Sequence, residues 1–173
     1  MIEDEYRFCP LCRSALSLRS MEGRRRRLCP ACGWIHYLNP LPCAAALVSN
    51  REGEILLVKR GVEPGKGLWG LPSGFIELEE SPAQACLREL EEEAALTGSI
   101  RELIGVYSQE SAVYKYVVII GYRVSAAGAP RAGSDSLEAA YFSLDRLPEI
   151  AFHSHRAIIR DGEAGNTGKG PIE

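Results

Sequence analysis

Three glutamates, Glu89, Glu92 and Glu93, are spaced to share one face of a helix. They belong to the stretch Gly74 to Leu96, GFIELEESPAQACLRELEEEAAL, which holds seven carboxylates and one base, Arg88. Its local charge is −6 in a chain whose total is −3. At roughly 100° per residue, Ala83, Leu87, Leu90 and Ala94 form a narrow apolar stripe suited to a core. The three glutamates share a second arc with Arg88 at its edge, and Glu91 points away. Like charges so placed repel by roughly 0.2–0.5 kcal/mol per pair, and a bound cation reverses the sign of that contribution. The competing reading is the solvated face of a surface helix. Mg2+ and Mn2+ take oxygen ligands and are commonly held by one or two carboxylates plus substrate phosphates. The spacing therefore points to metal-assisted chemistry on a phosphate ester or anhydride.

A second set of ligands stands earlier in the chain. Cys9-x2-Cys12 and Cys29-x2-Cys32, with sixteen residues between the pairs, have the spacing of a four-thiolate zinc site built from two knuckles and a hairpin. Four protein ligands leave zinc no open position, so the site reads as structural rather than catalytic. Two disulfides are the alternative, favoured only in an oxidising compartment. Cys43 and Cys86 lie in apolar surroundings and read as small buried hydrophobes.

The elements that position these groups follow from local signals. Ser81 is the expected N-cap, Pro82 the first helical residue and Gln84 the partner that completes a capping box, with the helix running to about Ala95. Strands are expected at Cys43–Val48 and Glu54–Lys59, joined by the turn Asn50 to Gly53, and again at Ile100–Tyr107, Lys115–Val124 and Leu137–Leu144. Within Lys115–Val124, the run Tyr116 to Ile120 reads as a central strand buried on both faces. A helix is expected from Leu147 to about Asp161. The domains are then a ribbon over 1–38, a catalytic domain over 39–161 entered through Asn39-Pro40-Leu41-Pro42, and a disordered tail over 162–173. The whole reads as an α/β fold.

Composition is that of a soluble globular chain. No apolar run approaches the roughly 18 residues of a membrane span, and the acidic start MIEDEYRFCP is unlike a signal peptide; a cytoplasmic protein with no membrane partner is expected. Residues 1–38 carry a net charge of +3 and the remainder −6. The run Arg24 to Arg27 is either a contact for nucleic-acid phosphates or a solvated strand face.

Gly74, Glu80, Arg88, Glu89, Leu90, Glu92, Glu93 and Leu96 fall in order on the pattern Gx5Ex7REUxEExGU, U being aliphatic, and the stretch resembles a Nudix box. Ala95 stands where that family has glycine, at the helix end where a left-handed backbone is expected. The resemblance extends through the four-cysteine ribbon, Tyr37-x-Asn39-Pro40, GLWGLPSG before the box and Ala151-Phe152-x-Ser154 after it. Together these resemble the ribbon-bearing Nudix hydrolases: the NADH pyrophosphatases and, more closely, the plant-type FAD and ADP-ribose pyrophosphatases. The segment SQPWPFPxS of the NADH enzymes is absent, Ser108-Gln109 being followed by Glu-Ser-Ala-Val-Tyr.

The resemblance implies an α/β/α sandwich around a mixed sheet and hydrolysis of the diphosphate bridge in a nucleoside diphosphate derivative. It implies Mg2+ or Mn2+ at Glu89, Glu92 and Glu93, with Glu80, a main-chain carbonyl of Ser73 or Gly74, and Glu138 as further ligands; Glu110 is the alternative to Glu138. Glu89 is expected to orient or deprotonate the attacking water, and Arg88 to hold a carboxylate by a forked hydrogen bond. Glu77, Glu79 and Glu91 are expected to be solvated. Phe75, Tyr107 and Tyr114 are conceivable contacts for a base, otherwise sheet packing, and no substrate-binding residue is assigned. His153 and His155 are expected on a helix surface. The expected partner is a small dinucleotide, and a homodimer is implied by the NADH enzymes. Two alternatives stay open: a nucleotide-sensing module without catalysis, and an enzyme of RNA 5′ ends (NAD caps) using the basic ribbon.

Overall fold

A computed structural model of the chain describes residues 6–133 and 136–165. The chain divides into two compact units between Asn39 and Pro40.

The first unit is a three-stranded antiparallel ribbon of β1 (Ser17–Met21), β2 (Arg24–Leu28) and β3 (Ile35–His36). Its hairpin turns at Glu22-Gly23, both at positive φ. Each cysteine pair bends into a knuckle closed by a backbone bond, Arg13 N–H to Cys9 O at 2.8 Å and Gly33 N–H to Cys29 O at 2.9 Å. Cys9, Leu16 and Cys29, with Trp34 against them, form its small core. Arg24 and Arg25 are exposed, while the Arg26 guanidinium lies 4.5 Å over the Tyr37 ring.

The second unit is built on two sheets. One has the order β7 (Ser73–Phe75), β4 (Leu41–Val48), β9 (Lys115–Ala127), β8 (Thr97–Ser111), and the other β10 (Ser136–Phe142), β5 (Ile55–Arg60), β6 (Trp69–Gly70). The β4–β9 pair is parallel and the other named pairs are antiparallel, so the sheet is mixed. Alternation along β4 sends Ala44, Ala46 and Val48 to a core under α1 (Pro82–Ala94). Ala45 and Leu47 face a second core under α2 (His153–Glu163). Glycine lets α2 sit close: a Cβ on Gly121 of β9 would come 2.9 Å from Ile158, and one on Gly162 2.3 Å from Leu47.

Helix α1 starts as its sequence dictates. Ser81 accepts from the Gln84 N–H at 3.3 Å, Gln84 accepts from the Ser81 N–H at 2.8 Å, and Pro82 opens the helix. It ends at Ala95, at φ 54° and ψ 35°, whose N–H bonds Glu91 O at 2.9 Å. The carbonyls left over at this end are taken by the loop after β9: Ala94 O by Arg131 N–H at 2.9 Å, Glu93 O by the Ser136 hydroxyl at 2.6 Å.

The structure corrects several expectations. The buried face of α1 is Ala85, Cys86, Leu90, Glu93 and Ala94, while Ala83 and Leu87 are half-buried, because the helix lies against β4 and β7 on the side of Glu89 and Glu93. Leu41 and Pro42 of the expected linker open β4. The turn after β4 leads into the other sheet, so β4 and β5 pair with different partners. In β9, Val117, Ile119 and Gly121 are buried while Val118 and Ile120 are half-buried and Tyr116 is exposed: one face meets α2 and the other is partly open. Strand β10 ends at Phe142, a 3₁₀ turn following at Leu144–Arg146. Helix α2 begins at His153, not Leu147. Pro148 disfavours helix at Leu147, and the backbone of 149–151 is engaged by Trp69, through Trp69 N–H to Glu149 O at 3.0 Å and Ala151 N–H to Trp69 O at 2.8 Å. The helix runs through Gly162 and Glu163, placed in the tail by sequence, with Arg123 donating to Gly162 O. Residues 166–173 of that tail lie outside the described residues. Among the described residues no helix is long and apolar enough to cross a membrane.

Candidate active site

Between α1, β7 and the start of α2 the second unit holds a cavity of about 370 Å³. One wall is acidic. Glu93, 7% exposed, accepts the Ser73 N–H on Oε2 at 2.9 Å, which fixes the helix carboxylate to the first residue of β7. Glu89 lies against the next residue: a Cβ built on Gly74 would stand 2.0 Å from Glu89 Oε1, so glycine makes room for the carboxylate. Ser73, Gly74, Glu89 and Glu93 line the cavity, and Glu77, exposed as expected, lines it too.

Arg88 organises the acids beside this wall. Its Nε and one terminal nitrogen fork onto Glu80 at 3.1 and 2.8 Å, and the latter also donates to Phe75 O at 2.9 Å. The other terminal nitrogen reaches Glu89 at 2.7 Å and Glu92 at 3.0 Å. The fork expected for Arg88 is therefore present, and its carboxylate is Glu80. Hydrogen bonds from Arg88, then from the Glu77 N–H, hold the Glu80 carboxyl below its ordinary pKa. Glu80 is thus committed to Arg88 and does not line the cavity. Nor does Glu92, whose side chain is 48% exposed.

Glu138 lies elsewhere. It stands opposite Lys59 in the β10–β5 register, receives Lys59 Nζ at 2.8 Å with its side chain 56% exposed, and does not line the cavity. Its strand belongs to the other sheet, which sequence alone does not reveal. The alternative, Glu110, accepts from the Tyr116 hydroxyl at 3.0 Å and is exposed, because alternation on β8 turns its neighbour Gln109 inward instead. Tyr107 packs in the core with its hydroxyl on Asp161 at 2.9 Å, whereas Phe75 and Tyr114 meet edge to face at 4.9 Å on the cavity.

The opposite wall carries residues the sequence left unassigned. Arg60 donates from Nε to Pro64 O at 2.8 Å and lies 4.8 Å over the Phe152 ring. His155, expected on a helix surface, is 3% exposed. Its Nδ1 accepts the Leu71 N–H at 3.1 Å, which leaves the ring proton on Nε2. Burial, reinforced by the Arg60 charge, holds its pKa down at about 3. His153 is exposed. Ser154 and Gln109 are buried and line the cavity with it, Gln109 Oε1 accepting the Ser154 N–H at 3.3 Å. Ser154 belongs to the Ala151-Phe152-x-Ser154 signature, the one sequence signal for this wall; Gln109 had none beyond its place in an alternating strand.

The two cysteine sets differ in kind. Cys9, Cys12, Cys29 and Cys32 bring four sulfurs within 4.8 Å of one another, with contacts of 3.4–3.6 Å and no disulfide. A tetrahedral ion with bonds of about 2.3 Å has ligand edges of about 3.8 Å, so the set fits a four-coordinate thiophilic metal. Cys86 is fully buried and Cys43 half-buried; burial, and then the Glu89 charge, push their thiols up to about 12 and about 11. Among the described residues, the α1 acids do not form such a tight cluster. Their fit to a harder cation rests on two carboxylates, Glu89 and Glu93, pressed into one wall beside the β7 backbone, in a stretch whose one base already meets three acids.

Comparison with known proteins agrees with both units. The NUDIX domain family model matches residues 39–162, and the Nudix N-terminal zinc-ribbon model matches residues 7–38. An ADP-ribose pyrophosphatase of Methanocaldococcus jannaschii is 36% identical over 127 residues, 72% of this chain and 74% of that protein. The NAD-capped RNA hydrolase NudC of Stutzerimonas stutzeri is 28% identical over 148 residues, 84% of this chain and 51% of its own, so the chain spans about half that relative. The crystal structure of a NUDIX hydrolase from Nitrosomonas europaea superposes with a TM-score of 0.79 at 32% identity, covering 97% of each chain.

Proposed function

Since the chain belongs to the Nudix hydrolases, we propose that it is a divalent-metal-dependent pyrophosphohydrolase that cleaves the diphosphate bridge of a nucleoside diphosphate derivative into monophosphates. ADP-ribose is the leading substrate, with FAD and NAD-like dinucleotides in the same class. The observation that carries this reading is the convergence of Glu89 and Glu93 on the Ser73–Gly74 backbone at one wall of a cavity of about 370 Å³, a size that suits a nucleotide. The relative named an ADP-ribose pyrophosphatase supports the substrate class.

Glu93, Glu89 and a carbonyl of Ser73 or Gly74 would hold the cation, and Glu92, beside Glu93 at the exposed edge, supplies a further carboxylate. When bound there, Mg2+ or Mn2+ neutralises the diphosphate and polarises its phosphoryl oxygens. The protein's part is positional. The Ser73 N–H orients Glu93. Arg88, pinned to Glu80 and Phe75 O, holds Glu89 toward β7, where its carboxylate orients the attacking water and receives its proton. The four ribbon cysteines hold a structural zinc.

Hydrolysis of ADP-ribose, FAD, NADH and NAD-capped RNA, with products identified by mass and Mg2+ or Mn2+ added after chelation, tests the proposal. Metal-restored release of monophosphates from a dinucleotide is expected. A folded, metal-supplied protein that cleaves none of them overturns the proposal and favours the nucleotide-sensing alternative. Cleavage of capped RNA far above free dinucleotide would shift the substrate to RNA 5′ ends.

A further inference from the structure

The Ser154 hydroxyl is buried at the first turn of α2, in a residue 1% exposed, and has no hydrogen-bond partner among the described residues. Ser154 lines the cavity described above. A buried hydroxyl left unpaired costs about 1–3 kcal/mol, so its presence in a cavity wall requires a reason, and the surroundings supply one. Beside it are the Gln109 amide and His155, neutral at working pH because its Nδ1 is taken by Leu71 and its ring is sealed from water. No formal charge stands among these three groups, and helix α2 has no side-chain cap. The same cavity offers flat and apolar surfaces as well: the Phe75–Tyr114 edge pair, Val117, Ile119 and the Phe152 ring. Arg60, a cation that lines the cavity, is already engaged by Pro64 O and the Phe152 ring. The acids that face the diphosphate, Glu89 and Glu93, belong to α1, a different wall.

Uncharged donors and acceptors beside aromatic and aliphatic faces match the polar edge of a planar heteroaromatic ring rather than a phosphate. We propose that Ser154 Oγ, supported by Gln109 and His155, is a specificity determinant that hydrogen-bonds the edge of the substrate's nucleobase. This inference rests on the proposed function, since it places the base of the nucleotide in the cavity whose acids hold the diphosphate. A site built to pair a polar substrate group rejects an analogue without it far more strongly than an apolar pocket does.

Calorimetric titration of the full chain with AMP, IMP and base-free ribose 5-phosphate reads the subsite without requiring turnover. At least one nucleotide is expected to bind ten-fold or more tightly than ribose 5-phosphate. Ser154→Ala should weaken that nucleotide by about ten-fold, narrow the difference between AMP and IMP, and leave ribose 5-phosphate unchanged. Its melting temperature should equal or exceed that of the wild type, because it removes an unpaired polar atom; Ser154→Cys, of similar volume and weak hydrogen bonding, should behave alike. Unaltered nucleotide binding in either folded variant overturns the inference, as does a nucleotide that binds no better than ribose 5-phosphate. A clear fall in melting temperature for both variants would mean that the hydroxyl serves the fold and likewise refute it. Hydrolysis separates the two readings. Ser154-dependent AMP binding without turnover leaves this inference standing and removes the enzyme, whereas full turnover insensitive to Ser154 does the reverse.

Discussion

Arg88 forks onto Glu80 across the entry to helix α1, Nε to Oε2 at 3.1 Å and a terminal nitrogen to Oε1 at 2.8 Å, while its other terminal nitrogen holds Glu89 and Glu92. One guanidinium thus ties the loop before the helix to the acids on it. Glu80→Gln keeps the shape but removes the charge, and activity should fall by roughly 10–100-fold, the scale for loss of a group that orients ligands. The Glu80 carboxyl is held below its usual value of 4.5, so its contribution to stability is complete above that pH and disappears as pH falls through the folded value. Melting curves of wild type and Glu80→Gln should differ at neutral pH and converge in acid. A constant difference down to pH 2 would refute the linkage.

Glu93→Gln retains an acceptor for the Ser73 N–H and deletes one charge from the cavity wall. Turnover should drop by at least about 100-fold with the fold preserved. Near-normal turnover in a folded variant, measured with saturating Mg2+, would falsify the assignment of Glu93 to the metal.

Ala95 occupies the left-handed region at the end of α1, where its Cβ is strained and glycine is not. Ala95→Gly keeps the N–H to Glu91 O and should stabilise the second unit by about 0.5–1 kcal/mol, strain relief outweighing the added chain entropy. Urea denaturation checks the sign; destabilisation would mean that the strain is small.

His155 is neutral in the fold, with a pKa of about 3 against 6.5 when unfolded. The unfolded chain therefore binds the extra proton first. Stability should be full above about pH 6.5 and fall by about 1.4 kcal/mol for each further pH unit toward 3. His155→Asn, which preserves an acceptor near the Leu71 N–H, should flatten that slope between pH 6.5 and 4.5. An unchanged slope would assign acid unfolding to other groups.

Metal analysis of the purified protein should find one zinc per chain. Chelation in the folded state should raise the thiols that react with Ellman's reagent by four, because Cys9, Cys12, Cys29 and Cys32 are the sulfurs gathered together. No zinc, and no rise in reactive thiols on chelation, would remove the metal from the ribbon.

Local sequence determined the parts whose cause is local. The capping box at Ser81 and Gln84, the left-handed end at Ala95, the knuckles and the hairpin at Glu22-Gly23 all depend on residues within a few positions of each other, and each formed where its residues stood. So did the arc of acids, since helical periodicity alone sets it. What tertiary structure decided is which acids face the cavity. Glu89 and Glu93 do because α1 lies with that side on β7, while Glu80 is drawn off by Arg88 and Glu138 is carried on the other sheet by its pairing with β5. The second wall was hidden for the same reason. His155 reads as a helix-surface residue until Trp69 engages the backbone of 149–151, which delays the helix to His153 and leaves Ser154 and His155 buried. Burial then fixes the charge of His155 and leaves the Ser154 hydroxyl enclosed in the cavity wall without a hydrogen-bond partner among the described residues, two properties that depend on neighbours from β6, β8 and the segment after β6, distant in sequence.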